Sequence, residues 1–467
     1  MTGIFGVISD SNCISTLYYG TDYHSHLGTE YGGIAFIDDR GVPIKKIHDI
    51  RNSQFKTRFY EGADMIDARM AIGVISDKEP QPLIFHSKFG TFSLCVSGLI
   101  TNVKELSEEM MSEGITFSEL NDGEINSTEL VANLINKGDD ILSGIARMQE
   151  KIEGSATILL MTGDGIYAAR DRMGVLPLAI GKKDGEMAVA SESCSFPNLG
   201  FDLEKYLGPG EVVFLGKEGM RVLKEPGPEM KTCAFLWIYT GFPASTYEDI
   251  NVERVRENCG GFLALRDHVK PDLAAGVPDS GTSHAIGYSL KSGVPFRRVL
   301  FKYTPGYGRS YLPLDQKHRD RIALMKLIPN RATIEGNSVV LCEDSIVRGT
   351  QLKNFTINKL KDSGVREVHV RVACPPLMYP CIYNLSTRSL SELAARRAIR
   401  AIEGNDLDDV SEYLDPDSDK FSNMVRWIAD DLDIDTLHYL RIDDMVNAIG
   451  LPREKLCLHC WTGEGSG

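Results

Sequence analysis

Residues 339–350 concentrate groups able to do chemistry: Val339-Val340-Leu341-Cys342-Glu343-Asp344-Ser345-Ile346-Val347-Arg348-Gly349-Thr350. A continuous apolar run ending in two adjacent carboxylates fits a parallel strand covered on both faces. Ligands bind at such strand ends in open α/β sheets. A small hydroxyl residue, a glycine and a threonine then lead into a helix, whose first amides and dipole favour an anion. Glu343 and Asp344 could contact ribose hydroxyls or hold a hydrated Mg2+, which takes one or two carboxylates plus substrate oxygens. The implied ligand is a sugar phosphate carrying a second, metal-bound phosphate group. The bland alternative is a capped helix after a strand with both acids solvated; the length of the string argues against it. No Gly-Lys-Ser/Thr is present, so this is not a Walker A loop.

A second candidate is Cys457-Leu458-His459-Cys460, a Cys-x2-Cys pair. Alone it leaves zinc, redox chemistry and coincidence open. His24, His26 and His48 lack metal spacing and read as core or surface residues. Trp237 and Trp427 read as packing residues, and the acidic stretch 406–419 as a solvated helix end or loop.

These groups need elements to position them. The first 230 or so residues read as short strands separated by turns, with β-leaning runs at 3–9, 32–37, 70–76 and 92–100. Runs at 155–162 and 166–169 flank Gly163-Asp164-Gly165, a hairpin signal. Segments 127–136 and 141–152 carry helical spacing. Strand clusters with few helices predict an α+β layered domain. After Gly208-Pro209-Gly210 the character changes, and from about 233 strands alternate with helices. Residues 337–373 read as one βαβ unit: a strand, a polar loop, a helix from about 351 to Gly364, and a strand over 367–373. The last 80 or so residues read as helical and acidic to about 449, then a Gly-rich tail. Boundaries are expected at 1–232, 233–385 and 386–467.

The chain has 467 residues, which favours two or three domains. Hydrophobic residues make up 42% and charged residues 25%, as in an ordinary globular protein, so a disordered or collagen-like chain is excluded. The formal charge of −14, from 51 Lys+Arg against 65 Asp+Glu, opposes sequence-independent nucleic-acid binding. No apolar stretch is long enough for a membrane span. Met1-Thr2-Gly3-Ile4-Phe5-Gly6 lacks a basic n-region, so cytoplasm is the expected location. Ten cysteines are few for the length and do not read as a disulfide scaffold.

The 339–350 string closely resembles the signature of type I phosphoribosyltransferases, and more narrowly that of the glutamine amidophosphoribosyltransferases of purine synthesis. Other segments resemble the same family in the same order. They are Pro278-Asp279-Ser280-Gly281, Lys302 with Gly308-Arg309-Ser310-Tyr311, Lys326-Leu327 with Arg331, Val368-His369-Val370-Arg371 with Pro375-Pro376, and Cys457 with Cys460-Trp461-Thr462-Gly463-Glu464. The resemblance covers nearly the whole chain. It implies an Ntn-type αββα domain, then an α/β type I phosphoribosyltransferase domain with a helical C-terminal extension. It also implies displacement of pyrophosphate from phosphoribosyl pyrophosphate (PRPP) by ammonia at C1, giving 5-phosphoribosylamine. Glu343 and Asp344 would hold the ribose and Mg2+. Ser345, Val347, Arg348, Gly349 and Thr350 would cradle the 5′-phosphate. Asp279 and Ser280 would face the metal or pyrophosphate, and Lys302 and Arg309 would clamp pyrophosphate as a loop closes. Two departures stand out: Glu343 replaces the usual Asp, and the loop Tyr303-Thr304-Pro305-Gly306-Tyr307 is longer and lacks an internal basic residue.

The N-terminal part resembles the family's glutaminase, which opens Cys-Gly-Ile-x-Gly and uses that cysteine as nucleophile. Here Thr2-Gly3-Ile4-Phe5-Gly6 has no thiol. A threonine paired with its own amine can be a nucleophile elsewhere, so this change alone decides nothing. The family's Asn-Gly oxyanion pair appears as Ser97-Gly98, and losing one such donor typically costs roughly 10²–10³ in rate. The arginine that grips the glutamine carboxylate is missing from Gly73-Val74-Ile75-Ser76-Asp77, and Arg69 is expected too early on the strand. Asp171-Arg172-Met173-Gly174-Val175-Leu176-Pro177-Leu178 and Ala190-Ser191-Glu192-Ser193 keep the scaffold. The expectation is a silent glutaminase and use of ammonia. The alternatives are a non-catalytic PRPP or nucleotide sensor, or a phosphoribosyltransferase with another acceptor.

One branch of the family carries a [4Fe–4S] cluster, and Cys233, Cys381, Cys457 and Cys460 fill its four positions, while Cys13, Cys95, Cys194, Cys259, Cys342 and Cys374 read as core. Thiolates suit iron–sulfur or zinc. By resemblance the chain would form a homotetramer inhibited by purine nucleotides.

Overall fold

A computed structural model describes residues 2–38, 40–59, 66–303, 325–383 and 389–464. It divides into two compact units. One takes in the chain up to Cys233 with Ser245–Asp249, and the other Ala234–Ala244 with the chain from Ile250 onward. Segment 245–249, which the sequence reading placed beyond the boundary, thus packs with the first unit.

Two antiparallel sheets form the heart of the first unit. The seven-stranded sheet runs in the order 202–206, 179–183, 186–190, 2–9, 70–76, 31–37, 43–49. The six-stranded sheet runs 219–224, 212–216, 165–169, 157–161, 90–97, 83–87. Alternation along each strand sends one set of side chains to a shared core. Ile4, Ile72, Val74 and Val189 of the first sheet meet Cys95, Leu159, Ile166 and Val213 of the second. The opposite faces are covered by helices. Ile14–Asp22 packs on the seven-stranded sheet, and Val103–Ser112, Ser127–Asn136 and Ile141–Lys151 pack on the six-stranded one. The result is the expected αββα layering.

The second unit is built on a four-stranded parallel sheet in the order Leu273–Gly276, Ser338–Glu343, Glu367–Val372, Thr436–Tyr439. All six residues of Ser338–Glu343 are buried, as a parallel strand with both faces covered requires. Helical chain from Thr350 to Asp362 connects it to Glu367–Val372, the βαβ unit read from the sequence. The strand Thr436–Tyr439 lies inside the stretch expected to be helical. It is four residues long and pairs with Glu367–Val372, a tertiary partner that its own composition does not announce. Lys302 ends a short strand, Leu300–Lys302, paired antiparallel with Leu327–Pro329.

Candidate functional site

In the second unit, the buried strand Ser338–Glu343 ends against the loop 277–281. The Val277 amide donates to the Cys342 carbonyl at 3.0 Å. A Cβ on Gly281 would stand 2.2 Å from that same oxygen, so the approach demands glycine. The loop thereby places Ser280, whose hydroxyl donates to Glu343 Oε1 at 3.3 Å. The Asp344 amide also donates to Glu343 Oε1, at 3.1 Å, and the Ser345 hydroxyl to Asp344 Oδ1 at 2.6 Å. Both acids are buried, with 9% of Glu343 and 4% of Asp344 exposed. Burial pushes the Glu343 carboxyl well above its ordinary value, and the neighbouring Asp344 charge pushes it further. Among the described residues no Lys, Arg or His forms an ion pair with either acid. A buried acid pair without a cation is costly unless a proton or a metal ion joins it.

The loop that follows is pinned from outside rather than filled from inside. The Ala394 amide donates to the Val347 carbonyl at 2.7 Å, and Arg397 Nη1 to the Arg348 carbonyl at 2.8 Å. Arg348 pairs with Glu392 at 2.6 Å. Gly349 takes a left-handed φ of +77° and leads into Thr350, the first helical residue. The amides of Ser345 to Gly349 find no protein acceptor among the described residues. Bare amides before a helix form an anion cradle. At the rim, Lys302 Nζ lies 2.9 Å from Asp279 Oδ2, both largely exposed. Arg309 lies outside the described residues.

In the first unit, Thr2 pairs with Ser76 in the strand register. The Ser97 hydroxyl donates to the Thr2 carbonyl at 2.6 Å. Gly98 has φ +136°, and a Cβ there would lie 2.1 Å from the Ser155 carbonyl oxygen. Thr2, Ser97 and Gly98 are therefore neighbours. Arg69 is exposed and its carbonyl accepts from the Ser9 amide at 2.8 Å. That places it at the far end of the strand pair, about 20 Å from Ser76 at ~3.3 Å per residue. The Ser76 hydroxyl accepts from the Lys78 and Glu79 amides at 3.3 and 3.2 Å, capping the turn that follows.

A polar hub in this unit escaped the sequence reading. Glu192 is 2% exposed. His26 Nε2 lies 3.0 Å from its Oε2, the Ser245 hydroxyl donates to Oε2 at 3.1 Å, and the Tyr247 hydroxyl to Oε1 at 2.6 Å. Burial raises this carboxyl, but His26 and Tyr247 outweigh burial and hold it down at about 2. His24 is fully buried, its ring bonded to the Gly20 carbonyl at 2.8 Å and accepting from the Glu192 amide at 3.2 Å, and burial lowers it to about 4. These members come from three distant stretches of chain, so no local pattern marks them.

In the tail of the second unit, the Met378 and Tyr379 amides donate to the Cys460 carbonyl at 2.9 and 3.1 Å. The Ala234 amide reaches the Cys457 carbonyl at 3.4 Å, and Trp461 stacks on Phe235 with ring centroids 4.7 Å apart. The Cys-x2-Cys pair thus lies beside the chain leading to Cys381 and beside the residue after Cys233. Among the described residues no group of three or more His, Cys, Asp or Glu is arranged to hold a metal ion. Cys13, Cys95, Cys194, Cys259, Cys342 and Cys374 are buried thiols, as expected of core residues.

Comparison with known proteins bears on both units. A family model for a glutamine amidotransferase domain matches residues 67–198. The amidophosphoribosyltransferase of Methanocaldococcus jannaschii is 30% identical over 491 aligned positions, covering 99% of this chain and 97% of the relative. The chain belongs to the amidophosphoribosyltransferase family. The Bacillus subtilis amidophosphoribosyltransferase is 28% identical over 99% of this chain and 93% of its own. Among solved structures, the glutamine PRPP amidotransferase of B. subtilis complexed with ADP and GMP superposes with a TM-score of 0.85 at 29% identity, covering 99% and 97% of the two chains. A structure described as the allosteric regulatory enzyme of purine biosynthesis gives 0.84 at 28% identity. The family fold, an Ntn amidotransferase domain followed by a phosphoribosyltransferase domain, is the one described above. Among the described residues no helix is long and apolar enough to cross a membrane.

Proposed function

We propose that this chain transfers the phosphoribosyl group of PRPP to ammonia, releasing pyrophosphate and forming 5-phosphoribosylamine for purine synthesis, and that its first unit does not hydrolyse glutamine. The observation that carries the transferase reading is the buried Glu343–Asp344 pair without a cation, followed directly by bare amides. Those amides and Thr350 would hold the 5′-phosphate, and the two acids the ribose hydroxyls. Two carboxylates beside the Ser280 hydroxyl fit Mg2+, which takes few protein ligands. Bound there, Mg2+ would neutralise charge on the departing pyrophosphate. Lys302 and Asp279 at the rim, together with Arg309, would face the pyrophosphate and exclude water.

The silent reading of the first unit rests on Thr2 in place of a thiol, Ser97 in place of an amide donor, and no arginine within the segment Gly73-Val74-Ile75-Ser76-Asp77. Cys233, Cys381, Cys457 and Cys460 form the proposed [4Fe–4S] ligand set. The four soft thiolates suit such a cluster, and the backbone contacts of Cys460 and Cys457 support convergence of the tail. A homotetramer in the cytoplasm, inhibited by purine nucleotides, belongs to the same proposal; the ADP and GMP bound to the B. subtilis relative support the nucleotide part.

The test is product identification from PRPP with ammonium chloride or with glutamine. Pyrophosphate release with ammonium, and glutamate release below about one per second, the low end of common turnover, are expected. No PRPP-dependent release with ammonium rejects the transferase, and faster glutamate release rejects the silent first unit.

A further inference from the structure

An amide can hold a phosphate only if its peptide is turned the right way. In a trans peptide the carbonyl and the N–H point in opposite directions, and both the Val347–Arg348 and the Arg348–Gly349 peptides are trans. Holding the Val347 and Arg348 carbonyls on one side therefore sends the Arg348 and Gly349 amides to the other. One turn of the helix Ala394–Glu403 holds both carbonyls. Its first amide, on Ala394, has no acceptor within the helix and donates to the Val347 carbonyl at 2.7 Å. Three residues on, and so on the same face, Arg397 Nη1 donates to the Arg348 carbonyl at 2.8 Å.

The second bond acts on the less constrained peptide. Gly349 stands at φ +77°, and glycine takes positive and negative φ about equally. The Arg348–Gly349 peptide can therefore turn over at small cost, which would present a carbonyl to an anion in place of an amide. Arg397 opposes that turn, and its other end is fixed. Its Nη2 donates to Asp431 Oδ2 at 2.9 Å, and its guanidinium carbon lies 5.9 Å from the centre of the Trp427 ring. Both partners belong to the helix Asp419–Leu432, whose last residue also backs the loop: a Cβ on Gly349 would stand 3.2 Å from Leu432 Cδ2. The Arg348–Glu392 pair is no substitute, because it holds an exposed side chain and leaves the peptide free to turn.

We propose that Arg397, anchored by Asp431, is a positioning residue for phosphoribosyl ligands: it locks the Arg348–Gly349 peptide with its amide towards the 5′-phosphate. This inference rests on the reading of the loop as the 5′-phosphate cradle. The 5′-phosphate is remote from the reacting C1, so the lock acts on affinity and leaves the chemical step alone. Where loss of the lock leaves about a tenth of the molecules with the amide inward, apparent affinity falls about tenfold although no group touching the ligand has been removed.

The test compares the full-length wild type with R397M, which keeps an aliphatic stem beside Trp427 and removes the donors, and with D431N, which removes the anchoring charge at nearly constant volume. Calorimetry reads the binding of ribose 5-phosphate and, as a ligand without a 5′-phosphate, of magnesium pyrophosphate. Steady-state pyrophosphate release reads turnover of PRPP with ammonium chloride. R397M should weaken ribose 5-phosphate binding about tenfold, as loss of a hydrogen bond from a charged group does, and raise KM for PRPP by a similar factor. Its kcat and its magnesium pyrophosphate binding should stay within about twofold of wild type. D431N should act in the same direction by about threefold, and the double variant should lose no more than R397M, since the two residues act as one unit. Unaltered ribose 5-phosphate binding in R397M overturns the proposal. A fall in kcat or in pyrophosphate affinity as large as the rise in KM also overturns it, by marking general damage to the fold. Additive losses in the double variant overturn the part assigned to Asp431. A wild type that binds no ribose 5-phosphate and releases no pyrophosphate from PRPP overturns the transferase reading itself, and this inference with it.

Discussion

Two glutamates, one in each unit, are both buried and electrically opposite. Glu192 is met by His26, Tyr247 and Ser245, and these hold its carboxyl at about 2. Glu343 is met by a hydroxyl and one amide, stands beside another acid, and is pushed well above the ordinary carboxylate range. Burial by itself says little about what an acid does. An acid whose partners are all protein groups is architecture, whereas an acid whose partners are missing awaits a ligand. The same contrast separates the amides of Ser345 to Gly349 from the backbone of the sheets, where each strand is paired.

The comparison can be broken in several ways, beginning with the largest expected effect. Asp344→Asn should lower PRPP-dependent pyrophosphate release by about 10² or more, since Lewis-acid stabilisation is worth several kcal/mol; steady-state release with ammonium measures it. Equal activity would show that the acid pair is not the reacting centre.

Glu192→Ala should destabilise the first unit by about 3 kcal/mol or more, as breaking a buried ionic contact does, read by urea denaturation. Its pH dependence has a definite sign. The folded carboxyl titrates near 2 and an ordinary one near 4.5. The wild-type advantage is therefore present above about 4.5 and is lost as pH falls towards 2.

Glu343→Gln should have the reverse signature. Its folded carboxyl titrates above the ordinary value of 4.5, so in Mg2+-free protein its contribution to stability falls as pH rises beyond that value. The substitution removes this penalty, so the metal-free melting temperature near neutral pH should rise by a few degrees, while any further gain on adding Mg2+ shrinks. A drop in stability would put Glu343 in the same class as Glu192. The smallest effect belongs to Arg69→Ala. This side chain is exposed at the wrong end of its strand, so stability should change by less than about 0.5 kcal/mol and ammonium-dependent turnover should be unaltered.

The proposed transferase site was legible because its parts are contiguous. Strand, acid pair, loop and helix start fall within residues 339–350, and each step carries a local physical signal: an apolar run, charge, small residues, a cap. The layered first unit was also legible, since alternation and turn residues repeat along it. The strand Thr436–Tyr439 was not, because a short run beside helices becomes a strand only when a sheet edge is there to receive it.

What the amino-acid order determined by itself is therefore the local chemistry: which end of a buried strand carries acid, which residues can turn, and which expected groups, such as a thiol at position 2, are missing. Only the tertiary structure decided which acids are satisfied. Glu192 meets His26 and Tyr247 across long stretches of chain, Ser155 comes to Gly98 from a loop more than fifty residues later, and Arg69 is carried away from Ser76 by the rise of the strand between them. Ionisation and hydrogen bonding depend on distance and burial, and those are properties of the packed molecule rather than of neighbours in sequence.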